Sequence, residues 1–302
     1  MIRSMYSAVS GLSSNQFKMD VIGNDLANVN TIGYKSKRAN LASAFTQIAR
    51  AASTLQPAGI EVGLGAQVAS TDTQYTQGAF QRTDVPTDLG LAGDGFFMLG
   101  ATAAATAPSY YSRAGNFTID LNGYMRSQDG QFVLGTLGTA AGSGFSTSVA
   151  TNTSSAVTYT TATAASGLLA VRIPTTITGG TPSPQNVASF NVGSDGKIVV
   201  TGDNGASSAI GFLSVATFPS NQGLSSAPNT NYASSDASGA ATANPPGTGK
   251  AGKTQSGVLE LSNVDIAQEF SEMIVTQRGF DANARTISTS DEMLQTVTNL
   301  KR

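Results

Sequence analysis

The sequence predicts an α+β protein in which helices from the two ends of the chain form a coiled coil and carry an inserted all-β antiparallel domain. Three observations support this fold class. At both ends of the 302-residue chain, apolar residues recur every seven positions, which is typical of helices that pack along a narrow stripe. All ten prolines lie between Pro57 and Pro246, so no proline interrupts either end. Between them, alternating segments joined by Asn-Gly and Asp-Gly pairs indicate β-hairpins.

The segment from Ser262 to Arg302 is predicted to form one long helix. Ser262 and Asp265 have the spacing of a capping box, in which a hydroxyl and a carboxylate satisfy the first free backbone amides. A helix with one apolar stripe is not stable alone and needs a partner that covers the stripe. The stripe consists of Ile266, Met273, Phe280, Ile287 and Leu294, with Phe270 and Ala284 on a companion line.

A matching stripe runs along residues 1–29. Gly11 and Gly23 each weaken a helix interior by about 1 kcal/mol relative to alanine, so this helix is expected to form mainly when its stripe is covered. The simplest arrangement pairs the two ends as an inner coiled-coil domain over residues 1–30 and 262–302; packing of both helices inside one globule is the alternative. The N-terminal stripe consists of Met5, Leu12, Met19 and Leu26, with Ile2, Val9, Ile22 and Val29 beside them.

Extended linkers are expected over residues 31–74 and 221–261, on either side of a β domain over residues 75–220. The second linker is rich in serine, alanine, glycine and proline, a composition typical of a flexible connection. Within the β domain, Phe96-Phe97-Met98-Leu99 predicts a short buried strand, and hairpin turns are expected at Gly123, Gly130 and Gly196. Residues 135–167, rich in threonine, alanine and serine, are compatible with a disordered loop and with weak exposed strands.

Composition excludes several classes of function. Charged residues make up 12% of the chain and the net charge is −2, so no basic face is available for nucleic acid or for a membrane surface. The chain has no cysteine and no histidine, which excludes thiolate and imidazole metal sites and nucleophiles activated by histidine. No apolar run has the length of a secretory signal or of a membrane span. We therefore expect no catalytic residues, no cofactor and no metal.

Two motifs that often carry chemistry are interpreted as turns. Residues 247–254 match the phosphate-loop pattern G-x-x-x-x-G-K-T, but that loop requires a buried strand before it and a helix directly after it. Here a glycine-rich segment lies on both sides. Asp88, Asp94 and Asp195 stand beside glycines without the spacing of a calcium loop, which favours turn chemistry.

Three segments resemble the signature sequences of the bacterial flagellar axial proteins, the rod and hook family. They are SAVSGL with MDVIGNDLANVNTIGYK near the N-terminus, DLGLAGDGFFML from Asp88 to Leu99, and GVLELSNVDIAQEFSEMIVTQRGFDANARTISTSDEMLQTVTNLKR at the C-terminus. The resemblance implies that the terminal helices form an inner tube, that the linkers brace it and that the β domain projects outward. It also implies export through the flagellar type III apparatus without a cleaved signal, and a location in the extracellular flagellum.

The resemblance implies a structural subunit and not an enzyme. Residues 20–24 and 279–283 are similar to those of the hook, the flexible universal joint that transmits torque from rod to filament. The segment from Gln47 to Glu61 is similar to an element that stiffens the rod, so a distal rod subunit is the alternative; a secreted β-domain adhesin or enzyme is a third possibility. The implied partners are other copies of the chain, the distal rod protein, the hook cap, the hook–filament junction proteins and the export apparatus.

Two sets of residues are predicted to matter for assembly. A seam shared by only two helices is expected to leave Ile22, Ile274 and Val297 uncovered, which favours stacking of further copies into an open helical tube. The predicted assembly interface consists of Met5, Val9, Leu12, Met19, Ile22, Leu26, Ile266, Phe270, Met273, Phe280, Ile287 and Leu294. A polar face of the last helix is predicted either to line a central channel or simply to face solvent; it comprises Thr286, Ser288, Thr289, Ser290 and Gln295.

Overall fold

A computed structural model describes residues 2–50, 60–105, 107–136, 167–174, 176–177, 185–203, 205 and 207–300. The chain divides into two compact units. The helical unit comprises Met1–Val29, Lys35–Gln74 and Val264–Arg302, and the β unit comprises Asn30–Tyr34 and Tyr75–Asn263. Most of the segment whose order the sequence left open, residues 137–166, lies outside the described residues.

The helical unit is built on helices α1 (Ile2–Ala27) and α2 (Ile266–Asn299), which pack against each other. The two helices are antiparallel, because residues further along α1 contact residues earlier in α2. Asn283 lies against Gly11, and Asn15 lies against Gly279. Both helices were predicted from their apolar spacing, and their observed ends lie within a few residues of the predicted ones.

The start of α2 corrects the predicted capping box. The N-cap is Asp265, whose backbone is extended and whose carboxylate accepts hydrogen bonds from Ala267 N at 2.9 Å and Gln268 N at 3.3 Å. The N-cap is therefore Asp265, and not Ser262 as the predicted capping box requires. A carboxylate at this position satisfies the free amides and also interacts favourably with the positive end of the helix dipole.

The first predicted linker is a two-stranded ribbon. Strands β1 (Lys37–Ser43) and β4 (Ala66–Thr73) pair antiparallel, as do β2 (Thr46–Arg50) and β3 (Ile60–Gly63). Hydrogen bonds from Ala44 N to Gly65 O and from Leu64 N to Phe45 O join the two pairs into one continuous ladder. Pairing thus satisfies the backbone of a segment that the sequence indicated only as extended.

The β unit contains strands that are antiparallel to their neighbours in every described pair. The strands are β5 (Phe80–Arg82), β6 (Leu89–Ala92), β7 (Phe96–Gly100), β8 (Tyr110–Ser112), β9 (Thr118–Ile119), β10 (Met125–Arg126), β11 (Phe132–Thr136), β12 (Leu168–Ala170), β13 (Thr176–Ile177), β14 (Gln185–Val192), β15 (Lys197–Gly202), β16 (Ser207–Leu213), β17 (Val215–Thr217), β18 (Ser225–Ala227), β19 (Asn231–Ala233), β20 (Thr242–Asn244), β21 (Lys253–Ser256) and β22 (Val258–Glu260). The central part of the large sheet has the order β13-β14-β15-β16-β11-β7-β8-β19-β18, while β6 pairs with β21 and β5 pairs with β22. The α+β fold class is confirmed.

Strand β7 lies at the centre of this unit and is fully buried, as its sequence predicted. Its side chains alternate between two apolar clusters: Phe97 and Leu99 belong to one, and Phe96 and Met98 to the other. The three predicted hairpin turns are also present. Their glycines Gly123, Gly130 and Gly196 all have positive φ, a conformation that residues with a side chain rarely adopt.

The second predicted linker is not a linker. Residues 221–261 contribute β18, β19 and β20 to the large sheet, and β21 and β22 to the smaller pairs. Leu224, Tyr232 and Ala243 are buried in the same apolar cluster as Phe96 and Phe218. The composition is misleading here because serine and alanine, which are common in linkers, also occur on the exposed faces of strands. A few buried apolar residues are then enough to anchor the segment in the sheet.

Candidate assembly surface

Small and polar residues form the most buried part of α2. Thr276 and Ser290 are its buried residues, and each hydroxyl donates to the carbonyl four residues earlier, at 2.7 Å. They stand seven residues on either side of Asn283, which contacts α1. Because the hydroxyls are satisfied within their own helix, α2 can bury them at little cost.

The predicted interface residues have unequal burial. Ile22 is buried with 3% of its surface exposed, whereas Val9, Ile266 and Phe270 are about half exposed. The prediction that Ile22 stays uncovered is wrong, and α1 as a whole packs against β1 and β4 as well as against α2. The remaining members are half-buried: Met5, Leu12, Met19, Leu26, Met273, Phe280, Ile287 and Leu294.

Large apolar side chains remain exposed along both helices. Ile266, Phe270 and Ile274 stand four residues apart and therefore share one face of α2, beside Val275, which is 69% exposed. Ile274 and Val297 are exposed as predicted. On α1, Tyr6 is 71% exposed and is accompanied by Val9 and Phe17. Exposed apolar side chains grouped on helix faces are typical of protein–protein contacts, because burial of apolar surface is favourable by about 25 cal/mol per Å².

The proposed channel-lining residues separate into two groups. Thr286, Ser288, Thr289 and Gln295 are exposed, but Ser290 has only 2% of its surface exposed. Ser290 therefore cannot present its hydroxyl to a passing chain, and its place on the polar face is corrected. The exposed hydroxyls of Thr286 and Thr289 donate to the helix carbonyls Ala282 O and Arg285 O, at 3.0 Å each.

Charged side chains of the two helices lie close enough to interact electrostatically. Lys18 Nζ lies 3.2 Å from Glu272 Oε2. Burial raises the pKa of the nearby Glu269 carboxyl, and the negative charges of Asp25 and Glu272 raise it further against the opposing effect of Lys18. A carboxyl with a raised pKa binds its proton more tightly in the folded state, so its contribution to stability falls as pH rises from the ordinary glutamate pKa through the raised one.

A buried ion pair joins distant segments of the β unit. Arg113 and Glu260 are 3% and 0% exposed, and Arg113 Nη1 lies 3.2 Å from Glu260 Oε2. Arg113 Nη2 donates to Gly93 O at 2.8 Å, and Gly78 N donates to Glu260 Oε1 at 3.0 Å. The two charges thus join strand β22 to the first segment of the unit. Sequence reasoning missed the pair, because nothing in the spacing of residues 147 positions apart indicates a contact.

The motifs interpreted as turns have that role. Directly after Gly252 the chain continues as strand β21 and not as a helix, and the Thr254 hydroxyl is buried and donates to Gly193 O at 2.7 Å. Asp195 accepts from Lys197 N, two residues on. In the part of the chain that the structure describes, no group of three or more metal-ligating side chains comes together. No helix in the described part of the chain is both long and apolar enough to cross a bilayer.

Paired terminal helices with large exposed apolar side chains are typical of a protein that associates with other chains through its helices. Comparison with known proteins agrees. Residues 5–35 match a family model described as "Flagella basal body rod protein", residues 90–200 one described as "Flagellar hook protein FlgE/F/G D1 domain", and residues 255–300 one described as "Flagellar basal body rod FlgEFG protein C-terminal".

Relatives match over the full length of this chain. The flagellar basal-body rod protein FlgG of Bacillus subtilis is 36% identical over 308 residues, and that of Borreliella burgdorferi is 30% identical over 309, with 100% of both chains covered in each case. The flagellar hook protein FlgE of Borreliella burgdorferi is 28% identical over 445 residues, again with both chains fully covered. The chain therefore belongs to the flagellar rod and hook family of axial proteins, which confirms the resemblance seen in its sequence. Members of this family are structural proteins of the bacterial flagellum that assemble into homo-oligomeric axial structures.

Proposed function

We propose that the chain is a subunit of the flagellar hook, which polymerises into a flexible helical tube with a central export channel and transmits motor torque from rod to filament. The observation that carries this proposal is the exposed apolar face of the helix pair, which includes Tyr6, Ile274 and Val275. A single copy leaves this surface in water. Successive copies that cover one another's faces with different patches do not close into a ring, so they build an open tube.

In the proposed polymer, α1 and α2 form a coiled-coil inner layer over residues 1–30 and 262–302. The ribbon of β1 to β4 braces this layer, and the β unit forms the outer layer. The antiparallel contact between the helices and the packing of α1 on β1 and β4 support this arrangement. Export without a cleaved signal, the extracellular location and the contacts with rod, cap and junction proteins belong to the same proposal, and they rest on the family.

A charge-poor stretch of the β unit favours the hook. Between Asp129 and Asp195 the only charged residue is Arg172. Contacts between neutral hydroxyl and methyl groups are weak and interchangeable, so neighbouring outer units slide past one another at little cost when the tube bends. Strong surface ion pairs with fixed partners would resist such sliding.

A distal rod subunit is the second candidate, and two observations favour it. The alignments with rod relatives run over 308 and 309 positions, close to the 302 residues of this chain, whereas the hook alignment extends over 445. In addition, Gln47 and Ile48 pair with Val62 and Glu61, so the segment that resembles a rod-stiffening element begins and ends in two paired strands. A stiff ribbon at this place suits a rigid drive shaft.

Electron microscopy of polymer grown from the purified full chain distinguishes the candidates. A hook subunit is expected to form tubes whose curvature varies along their length and between tubes. Straight tubes of constant diameter would favour the rod. A chain that remains monomeric at high concentration, with both units folded, would contradict both candidates and favour an adhesin or enzyme based on the β unit.

The channel hypothesis predicts a defect in export that is separate from assembly. Replacing Ser288 and Thr289 with lysine is expected to slow the passage of later components by roughly tenfold, because rings of positive charge then replace neutral groups in a narrow pore. Secretion is measured in cells whose hooks are seen to assemble. The matched control is the double glutamine variant, which has similar bulk without charge. Equal export by both variants and the parent would mean that this face does not line the channel.

A further inference from the structure

The apolar repeat of the two helices does not specify one alignment. Met5, Leu12, Met19 and Leu26 recur with the same seven-residue period as Met273, Phe280, Ile287 and Leu294. Sliding α2 along α1 by one repeat, roughly 10 Å at 1.5 Å per residue, places apolar residues opposite apolar residues again. Something other than the repeat must therefore select the observed alignment, as polar or small residues do in other paired helices.

Two reciprocal contacts mark the observed alignment. A methyl group added at Gly11 would lie 2.7 Å from Asn283 Nδ2, and one added at Gly279 would lie 3.2 Å from Asn15 Nδ2. On each helix the glycine and the asparagine are four residues apart and so share a face. Because the helices are antiparallel, each asparagine side chain lies over the glycine of the opposite helix.

A shift by one repeat removes both contacts at once. Asn283 would then face Ser4 or Lys18, and Asn15 would face Glu272 or Thr286, depending on the direction of the shift. Neither asparagine would meet a glycine, so each would press against a side chain where the native pair leaves room. The Lys18–Glu272 ion pair, 3.2 Å in the observed alignment, would also be lost.

A third helical glycine shows that this arrangement is specific. A methyl group added at Gly23 would meet no atom within 4 Å. Glycine is unfavourable in a helix interior, so its use at Gly11 and Gly279 has a reason that is absent at Gly23. The reason at Gly11 and Gly279 is the approach of an asparagine side chain from the opposite helix.

We propose that the Gly11–Asn283 and Gly279–Asn15 contacts form a register lock, which selects one alignment of α1 and α2 among those that the seven-residue repeat allows. The lock determines which apolar side chains the helix pair leaves exposed. Its consequence for polymerisation rests on the proposed function. A shifted pair would displace its exposed apolar residues along the helix axis, so they would not align with those of the next subunit. The alignment itself does not depend on polymerisation.

Distances between spin labels test the lock directly. The chain has no cysteine, so Asp20→Cys and Met293→Cys provide two exposed labelling sites without background. A shift by one repeat changes the axial separation of these sites by roughly 10 Å in either direction. Pulsed dipolar spectroscopy is performed on the dispersed full chain, and again on assembled material diluted with unlabelled chain, so a failure to polymerise leaves the alignment measurable.

One main distance is expected in the parent chain and in the Gly23→Ala control. Gly11→Ala with Gly279→Ala, and separately Asn15→Ala with Asn283→Ala, are expected to give an additional or displaced distance. Exchanging the residues of one contact, Gly11→Asn with Asn283→Gly, keeps the large and small partners together and is expected to restore the main distance. The proposal is overturned if both double-alanine variants keep only the parent distance, or if the exchanged variant remains displaced or broad while Gly23→Ala does not.

Discussion

Replacing Val275 with lysine is expected to raise the concentration needed for polymerisation by about thirtyfold or more. Val275 is 69% exposed and lies beside the line of Ile266, Phe270 and Ile274 on α2. Burial of a valine side chain at a contact is worth about 2 kcal/mol, and a factor of ten in an equilibrium constant corresponds to about 1.4 kcal/mol. Because every added subunit repeats the contact, the loss applies at each step of growth. Sedimentation of polymer at graded protein concentrations measures the effect.

Leu121→Lys is the matched control for this experiment. Leu121 is 100% exposed, but it belongs to the β unit, at the hairpin between β9 and β10, and not to either helix. The same apolar-to-lysine change there is expected to leave the critical concentration within about twofold of the parent, since single exposed apolar residues are common on protein surfaces. Circular dichroism of both variants verifies that the fold is retained. Equal polymerisation of the two lysine variants would show that the exposed face of α2 is not an assembly surface.

Replacing Arg113 with alanine is expected to destabilise the β unit by about 3–5 kcal/mol. Removal of one partner of a buried ion pair takes a compensating charge away from the other partner, in a medium that solvates charge poorly. Glu260 is fully buried, and the variant loses the Arg113 charge that lies 3.2 Å from Glu260 Oε2 while it keeps the donor from Gly78 N, at 3.0 Å. The loss is measured by urea denaturation of the full chain, followed by the fluorescence of tyrosines such as Tyr111 and Tyr232, which are buried in the β unit.

Arg82→Ala supplies the matched control. Arg82 lies on β5, which pairs with the strand that ends at Glu260, and it forms an ion pair with Asp84 on the surface, where the side chains are 80% and 70% exposed. Water screens such a pair, so its loss is expected to change stability by less than about 1 kcal/mol. A second variant, Arg113→Met with Glu260→Gln, removes both charges and is expected to recover part of the stability. If Arg113→Ala lost no more stability than Arg82→Ala, the buried pair would have no structural importance.

Local pattern was sufficient for the elements whose signal lies within a few residues. The seven-residue spacing predicted α1 and α2, the run Phe96-Phe97-Met98-Leu99 predicted a buried strand, and the turn glycines predicted three hairpins. Each of these depends on backbone preferences and on burial of a nearby face. The capping residue was harder, because Ser262 and Asp265 are both good caps and only the observed end of the extended backbone distinguishes them.

Composition was misleading where serine and alanine dominate. Residues 221–261 have the make-up of a linker, yet Tyr232 and Ala243 pack into the core of the β unit. The polar face of α2 was also incompletely predicted, since Ser290 is buried and Thr286 is exposed although both are small hydroxyl residues. Burial at such positions depends on which other part of the chain packs against them, and the local sequence does not specify that contact.

By itself, the sequence determined the fold class, the ends that pair and the family, because apolar period, turn glycines and signature segments are all local properties. Only the tertiary structure decided which residues meet. It placed Asn283 over Gly11 and Asn15 over Gly279, buried Arg113 against Glu260, and left Val275 and Tyr6 in water. The physical reason is that a seven-residue repeat is satisfied equally by several alignments, whereas the shapes and charges that distinguish them act between residues far apart in the chain.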